Sequence, residues 1–426
     1  MLANYTKLKS PQQRGMIERT IRFRVITPVF GGGVSSSVAE AERHIKEPDR
    51  ITPIRSAAIR GQLRFWWRAF QNQTDQKKLW EEEKKIWGMA SQPGAVSIRL
   101  HQTVSLPTGT AVDEWEPVPV FRCSFNQEKK RWTVAPQDDM KEIAYAAFPL
   151  QPPKEVLNRR EEPRAGVLHR FKREVTLVLQ YPGHLEAQLD ETLTAWLILG
   201  GLGGRTRRGF GSIISDDLHV DPIPWLEAKG FSFAYSQPTA TDPLAALRLG
   251  LGKLQRFRQG QLVGRNRGSD PAQPNKAGRS RWPEPERIRA LVPTTANPKY
   301  SVRLVNVDKF PRASFGMPIN FHFLSDPQMG KFQIKPVGFE RLASPLIIRP
   351  YLGTDSKYGC LAVLLPHREL DHTSLELVGD GASWPAQATL TVAEARSPKS
   401  PLRGNTDPLL SFLSFFQLPD HQEKIP

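Results

Sequence analysis

The order in which the hydrophobic period changes between residues 20 and 214 restricts this chain more than any other feature. Residues 20–27 (TIRFRVIT) alternate basic and apolar side chains, the two-residue period of a half-buried strand. The turn PVFGGG follows at 28–33, and a 3.6-residue period then runs from Ser56 to about Gln71. Residues 95–104 and 174–180 read as a second and a third strand, 190–199 as a second helix, and 211–214 as a strand behind a glycine-rich stretch. A charged helix at 75–87 (DQKKLWEEEKKIW) is an insertion between the first helix and the second strand. The proline- and charge-rich stretch 149–166 is expected to form a loop or mobile insertion.

That β-α-β-β-α-β order is the ferredoxin-like arrangement also used by RNA-recognition motifs. The expected class is α+β, with tandem ferredoxin-like (RRM-like) domains carrying loop insertions. A composition shift at 221–224 places the boundary, giving an N-terminal domain at 1–222 and a second α/β domain, also expected to be ferredoxin-like, at 223–426. The second domain starts with a basic helix at 243–258, followed by a basic loop at 259–289. Within that loop, 264–286 (GRNRGSDPAQPNKAGRSRWPEPE) is rich in Gly, Pro, Ser, Asn and Asp, and is expected to be flexible in the free protein. Strand-like pieces follow at 318–324, 345–349, 359–365 and near 388–392, with a short apolar helix at 408–416.

Charge narrows the partner class. The 426 residues hold 59 Lys plus Arg against 43 Asp plus Glu, a formal net charge of +16, and 37 of the basic residues are Arg. Arg adds a planar fork that matches phosphate bidentately and stacks on bases, so its excess points toward a polyanion. A hydrophobic fraction of 39% and ten tryptophans are enough to build cores, which argues against wholesale disorder. Cys123 and Cys360 are too few and too far apart for a disulfide framework or a Cys-rich zinc site. The first twenty residues hold no apolar stretch fit for a signal peptide, and no run of 18 or more apolar residues spans a membrane. A cytoplasmic address is expected, with no cofactor, no metal and no membrane partner.

Three stretches carry candidate binding residues. In PIRSAAIRGQLRFWWRAF, Ile59, Leu63, Trp66, Trp67 and Phe70 form one apolar face, while Arg60, Arg64 and Arg68 recur every four residues along its flank. No acidic residue lies between Arg50 and Thr74 to relieve their repulsion. Arg55, Arg60 and Arg64 lie nearest the helix start, where N–H groups favour an anion; the competing reading is that such arginines pair with distant carboxylates. The second stretch, GGLGGRTRRGFGSI at 200–213, places Gly201, Gly203, Gly209 and Gly211 around Arg205, Arg207 and Arg208. Glycines permit close backbone approach to a ligand, and backbone N–H groups plus guanidinium forks suit a sugar-phosphate backbone. The Gly-Lys-Ser/Thr ending of a nucleotide P-loop is absent. The third stretch, from Arg248 to Arg312, holds 15 basic and 4 acidic residues. Phe257, Trp282, Tyr300 and Phe310 are interleaved there, which suits single-stranded RNA whose bases stack. Arg279, Arg281, Trp282 and Arg312 are its candidate contacts.

Gly201-Leu202-Gly203, five residues with three arginines, and Gly209-Phe210-Gly211 together resemble the glycine-rich loop of the RAMP superfamily, which is built on ferredoxin-like domains. A narrower resemblance is to the first-numbered RAMP subunit of type III-B CRISPR Cmr complexes. It rests on TPVFGGG at 27–33, IRSAAIRGQLRFWWRA at 54–69, KKIWG at 84–88, SRWPEP at 280–285, PRASFGMPI at 311–319 and ERLASPLIIRP at 340–350. The long polar, basic segment 264–279 departs from that family. The resemblance implies an antiviral-defence subunit that contacts guide RNA, single-stranded target RNA or both near the guide's 3′ region. It also implies neighbouring RAMP subunits, with target cleavage and second-messenger synthesis assigned to other members of the complex.

Catalytic signals are weak. The nine histidines show no metal-ligand spacing. His44 beside Arg43, or His169 between Arg164 and Arg173, could serve as a general base in metal-independent RNA cleavage, but an isolated histidine of this kind more often lies on the surface. Asp138-Asp139 and Asp216-Asp217 read as loop residues, because adjacent side chains point in different directions. The leading expectation is therefore a non-catalytic RNA-binding subunit. The alternatives are a RAMP endoribonuclease processing guide precursors and a scaffold that docks acidic proteins without touching RNA.

Overall fold

The computed structural model describes residues 15–31, 54–71, 73–101, 115–218, 220–272, 277–292, 308–323, 329–367, 370–371, 374–397 and 400–424. The chain divides into two compact units, Met1–Pro222 and Ile223–Pro426. Both mix helices with small antiparallel sheets, so the chain is α+β. Among the described residues no helix is long and apolar enough to cross a membrane.

The first unit runs β1 (Met16–Val25), α1 (Ser56–Ala69), α2 (Gln76–Trp87), β2 (Ser97–His101), β3 (Trp115–Pro119), β4 (Phe121–Asn126), β5 (Arg131–Pro136), α3 (Lys141–Ala146), α4 (Lys154–Leu157), β6 (Val167–Phe171), β7 (Glu174–Pro182), α5 (Glu186–Leu199) and β8 (Ile213–Ile214). Its main sheet has the order β2-β7-β1-β8, antiparallel throughout. Alternation in β1 sends Ile21, Phe23 and Val25 inward and Glu18, Thr20, Arg22 and Arg24 outward. The inward side meets α5, where Phe23 packs edge-on to Trp196 with centroids 5.3 Å apart. Ile59, Leu63, Trp66 and Trp67 of α1 are buried, and the Trp67 indole donates to Gln188 Oε1 of α5 at 2.9 Å. The expected insertion helix is present as α2, its N-terminus capped by the Asp75 carboxylate, which accepts from the Lys77 and Lys78 amides. The stretch 149–166, expected to be a loop, includes the single turn α4. Two further pairings, β3 with β6 and β4 with β5, fill the insertion between β2 and β7.

The second unit continues with α6 (Pro222–Ala228, starting at the boundary), β9 (Ser232–Tyr235), α7 (Pro243–Gln259), β10 (Arg265–Arg267), β11 (Ala277–Ser280), α8 (Glu284–Leu291), β12 (Ile319–His322), β13 (Lys331–Pro336), β14 (Leu346–Leu352), β15 (Tyr358–Leu364), β16 (Leu375–Gly379), β17 (Ala382–Ala386), α9 (Val392–Ala395) and α10 (Pro408–Gln417). One antiparallel sheet has the order β14-β15-β9 and is covered by α7, while α10 packs against β9 and α7. Phe257 of α7 meets Phe412 and Phe415 of α10 at centroid distances of 5.5 and 5.2 Å. A second sheet, β12-β13-β16-β17, closes over Phe332, Ile334 and Leu377 with Ile288 and Phe310.

Two expectations are corrected here. Residues 388–392 are not a strand: Thr391 caps α9 in a reciprocal box with Glu394, and a Thr-x-x-Glu pattern starts a helix. The stretch 264–286 is not simply a loop. Arg265 pairs with Ser280 and Arg267 with Ala277, so β10 and β11 form a hairpin that leads into α8. Residues 273–276 of that stretch lie outside the described residues.

Candidate nucleic-acid interface

The glycine-rich stretch links α5 to β8 and folds against the chain that leaves β1. The Gly204 amide donates to Phe30 O at 2.8 Å, Gly211 to Pro28 O at 3.0 Å, and Leu202 to Gly211 O at 2.9 Å. Thr27 ties the two segments together: its hydroxyl donates to Gly209 O at 2.6 Å and accepts the Ser212 amide at 2.8 Å. A Cβ at Gly203 would lie 2.5 Å from Val29 Cγ1, and one at Gly211, where φ is +64°, would lie 2.0 Å from Leu202 O. The close approach these glycines permit is therefore to the protein's own chain, not to a ligand as the sequence suggested. Gly201 obeys the same rule, since its Cβ would lie 2.7 Å from Gly211 O.

What this loop offers outward is its arginines. Thr206–Arg208 form one tight turn between Arg205 and Gly209, both in the left-handed region. A non-glycine residue at φ +56° is costly and is held there by its surroundings. Arg205 donates to Ala146 O at 2.9 Å, and its guanidinium lies 4.7 Å from the Phe148 ring centre and 5.5 Å from that of Phe30. Arg207 lies 5.6 Å from the Phe65 ring centre, and Arg208 donates to Arg207 O at 3.1 Å. All three arginines are half-buried, and desolvation pulls the guanidinium pKa of Arg205 and Arg207 below the usual arginine range. Cations stripped of part of their water and set on aromatic rings suit a phosphate that replaces that water.

The α1 stripe behaves differently. Arg55 is exposed at the cap position of α1, with no acidic residue in the first turn. Arg60 donates to Trp87 O at 3.2 Å and Arg64 to Gly88 O at 3.2 Å, satisfying the last carbonyls of α2. The Arg64 Nε also bonds Glu83 at 2.7 Å, and Arg68 reaches the other Glu83 oxygen at 3.5 Å. Glu83 is only 2% exposed. The distant-carboxylate reading thus holds for Arg64 and Arg68, and Arg60 and Arg64 serve first to dock two helices.

In the second unit Trp282, expected to stack on a base, is 1% exposed, and its indole donates to Arg258 O at 3.0 Å beside Phe257 and Phe315. A ring sealed in a core cannot meet a base. Phe257 and Phe310 are likewise buried, and Tyr300 lies outside the described residues. Arg312 is bound by buried Glu284, which accepts its backbone amide at 2.8 Å and lies 3.2 Å from its Nε. Arg281 donates to Asn266 Oδ1 at 2.9 Å and to Leu262 O at 3.2 Å, bracing the hairpin. Arg279 is half-buried on β11, while Arg265 and Arg267 of β10 are exposed. These last two were not singled out from sequence, although strand alternation would have placed them on one side.

The outward side of the main sheet carries His101 on β2 but no Phe, Tyr or Trp on β1, β2 or β7, unlike the aromatic platform of an RNA-recognition motif. Its cations are already matched. Arg22 pairs with Asp217, which it holds below the usual carboxylate range, Arg24 pairs with Asp216, and Arg99 pairs with Glu18. Asp138 pairs with Arg122. His169 is buried edge-on to Trp115 rather than on the surface, and His44 lies outside the described residues.

Residues 22–214 match the family model of the RAMP superfamily. No curated protein matches the chain. Among solved structures, Cmr1 from Pyrococcus furiosus in its apo form is 13% identical, with a TM-score of 0.40 over 85% of this chain and 94% of that one. A chain of the type III-B Cmr-beta complex bound to cognate target RNA and AMPPnP is 12% identical, with a TM-score of 0.41 over 93% of this chain and 98% of that one. Cmr6 from Pyrococcus furiosus is 13% identical, with a TM-score of 0.23 over 47% of this chain and 98% of that one. At these identities and TM-scores none of the three carries a role across to this chain.

Proposed function

We propose, on the match of residues 22–214 to the family model, that the chain is a RAMP-superfamily protein and a non-catalytic RNA-binding subunit of a type III-B CRISPR effector. In this reading it contacts guide RNA, target RNA or both near the guide's 3′ end, caps the filament of RAMP subunits, and works in the cytoplasm. Two ferredoxin-like domains, 1–222 and 223–426, underlie the proposal. The β1-α1-β2-β7-α5-β8 order with sheet order β2-β7-β1-β8 supports the first domain. The β9-α7-β14-β15-α10 order with sheet order β14-β15-β9 supports the second. The narrower assignment to the first-numbered Cmr subunit draws on the six motifs noted above.

The observation that carries the reading is the set Arg205, Arg207 and Arg208 on a loop whose glycines fix it to residues 28–30, in the chain that leaves β1. Half-buried guanidiniums on a stiff turn are pre-organised for a sugar-phosphate backbone, and little entropy is lost when it binds. In the second unit the proposed contacts are Arg265, Arg267 and Arg279 on the β10–β11 hairpin. Arg60, Arg64, Arg281 and Arg312 belong to the proposed set as well, each also bonded within its own unit.

The test is fluorescence anisotropy of labelled single-stranded RNA against the full chain in EDTA. Saturable binding is expected with weak sequence preference, log K falling against log salt with a slope near −4 if about six phosphates are neutralised at roughly −0.7 each. The RNA should remain intact. Absence of saturable binding at moderate salt would overturn the proposal in favour of a protein-docking scaffold, and specific cleavage in EDTA would overturn its non-catalytic part.

A further inference from the structure

Phe148 is 57% exposed, although Ala146, Ala147 and Leu150 around it are buried. The ring is not on a loose tip. It opens the 3-10 turn Phe148–Leu150, where the Leu150 amide donates to Ala147 O at 2.9 Å and Gln151 to Phe148 O at 3.1 Å. The turn is tied onward by the Gly166 amide, which donates to Leu150 O at 2.8 Å. Arg205 fixes the ring from the glycine-rich loop: its guanidinium lies 4.7 Å from the ring centre while it donates to Ala146 O at 2.9 Å. An aromatic ring placed in water, on an anchored turn and against a half-buried cation, has the composition of a single-strand binding site, in which bases stack on rings and cations meet the backbone. The outward side of β1, β2 and β7 carries no Phe, Tyr or Trp, its one aromatic side chain being His101 at the end of β2.

We propose that Phe148 is a stacking platform for one unpaired nucleobase of a single-stranded RNA whose backbone is met by Arg205 and its loop. This rests on the RNA-binding function proposed above and adds a residue that none of the sequence motifs contains. Because every base has a π face, the platform gives affinity with little sequence preference.

The experiment compares the wild-type chain with Phe148→Ala, Phe148→Leu and Phe148→Trp, titrated against an oligouridine and against the same RNA carrying 2-aminopurine. Phe148→Ala and Phe148→Leu should weaken binding by about fivefold to 150-fold, the range for losing one base stacked on an aromatic side chain. Phe148→Trp should bind as tightly as wild type or tighter, and 2-aminopurine quenching should persist with Trp and vanish with Leu. The salt slope should not change, because no phosphate contact is removed. Leucine keeps the apolar bulk, so a Leu variant that melts with wild type and still loses affinity separates stacking from folding. Equal affinity in wild type and the Leu variant overturns the platform while leaving RNA binding intact. A flattened salt slope overturns it too, since the ring would then act only by holding Arg205. Failure of the wild-type chain to bind RNA refutes instead the functional reading on which the platform rests.

Discussion

Replacing Glu423 by glutamine should unfold the second unit at a markedly lower temperature. Its carboxylate is 2% exposed and accepts three charge-assisted bonds, from Arg256 Nε at 2.5 Å, Arg256 Nη2 at 2.8 Å and Lys253 Nζ at 3.0 Å. Breaking a buried pair costs about 3–5 kcal/mol, because it leaves a buried charge without its counter-ion. The Lys253 side chain is 7% exposed and would bear that cost, keeping the Leu418 carbonyl at 2.6 Å and the exposed Asp420 at 3.9 Å, whereas Arg256, at 40%, is screened by water and keeps Asp420 at 3.3 Å. The expected loss therefore sits at the low end, about 3 kcal/mol. At about 2–4 °C per kcal/mol for a unit of this size, the corresponding transition should fall by about 6–12 °C. Differential scanning calorimetry of the full chain reads this directly, with the first unit's transition as an internal reference. The pH dependence follows from the same contacts. Burial by itself would raise the Glu423 carboxyl, but hydrogen bonds from Arg256 and Lys253 hold it below its usual 4.5. A carboxyl depressed in the folded state contributes stability that is present above the unfolded pKa and is lost as pH falls through the folded value. The difference between wild type and Glu423→Gln should thus persist at neutral pH and shrink below about pH 4.5. A shift of less than about 2 °C at neutral pH, or a difference that grows in acid, would show that Glu423 does not hold this buried cluster together.

Two further outcomes follow from the first unit. Gly211→Ala puts a Cβ 2.0 Å from Leu202 O at a φ of +64°, so the urea midpoint should fall by the equivalent of at least about 2 kcal/mol. Glu83→Gln removes the charge that holds Arg64 and Arg68, whose side chains are 30% and 48% exposed, and should cost about 1–2 kcal/mol in thermal melts. RNA affinity should stay unchanged in that variant; a steeper salt slope would contradict the assignment of this stripe to helix docking.

Local pattern was legible, and distant pairing was not. The alternation around Phe23, the start of α1 at Ser56, the Asp75 cap of α2 and the Pro408 start of α10 lie within a few residues of their sequence expectation. These features depend on neighbours in the chain. The arginines of α1 looked unopposed because Glu83, which takes up Arg64, lies 19 residues on and belongs to another helix. Glu284 and Arg312 are 28 residues apart and meet across a fold that no periodicity describes. Trp282 looked like a stacking ring because a basic neighbourhood says nothing about burial. The stretches that carry the family resemblance turn out to be mutual partners. Thr27–Phe30 folds on Gly203–Gly211, the α1 arginines dock on Trp87 and Gly88, and Glu284 grips Arg312. Much of what they specify is therefore internal contact. Phe148 carried no sequence signal, since its exposure is set by the turn that follows α3.

In the proposed function, Arg205, Arg207 and Arg208 meet the RNA backbone. The most direct test is the salt dependence of single-stranded RNA binding by the wild-type chain and by the combined Arg205→Gln, Arg207→Gln, Arg208→Gln variant. Loss of three phosphate contacts at roughly 0.7 each should flatten the slope by about 2, from near −4 to near −2. An unchanged slope, whatever happens to affinity, would contradict the account and remove the glycine-rich loop from the binding surface.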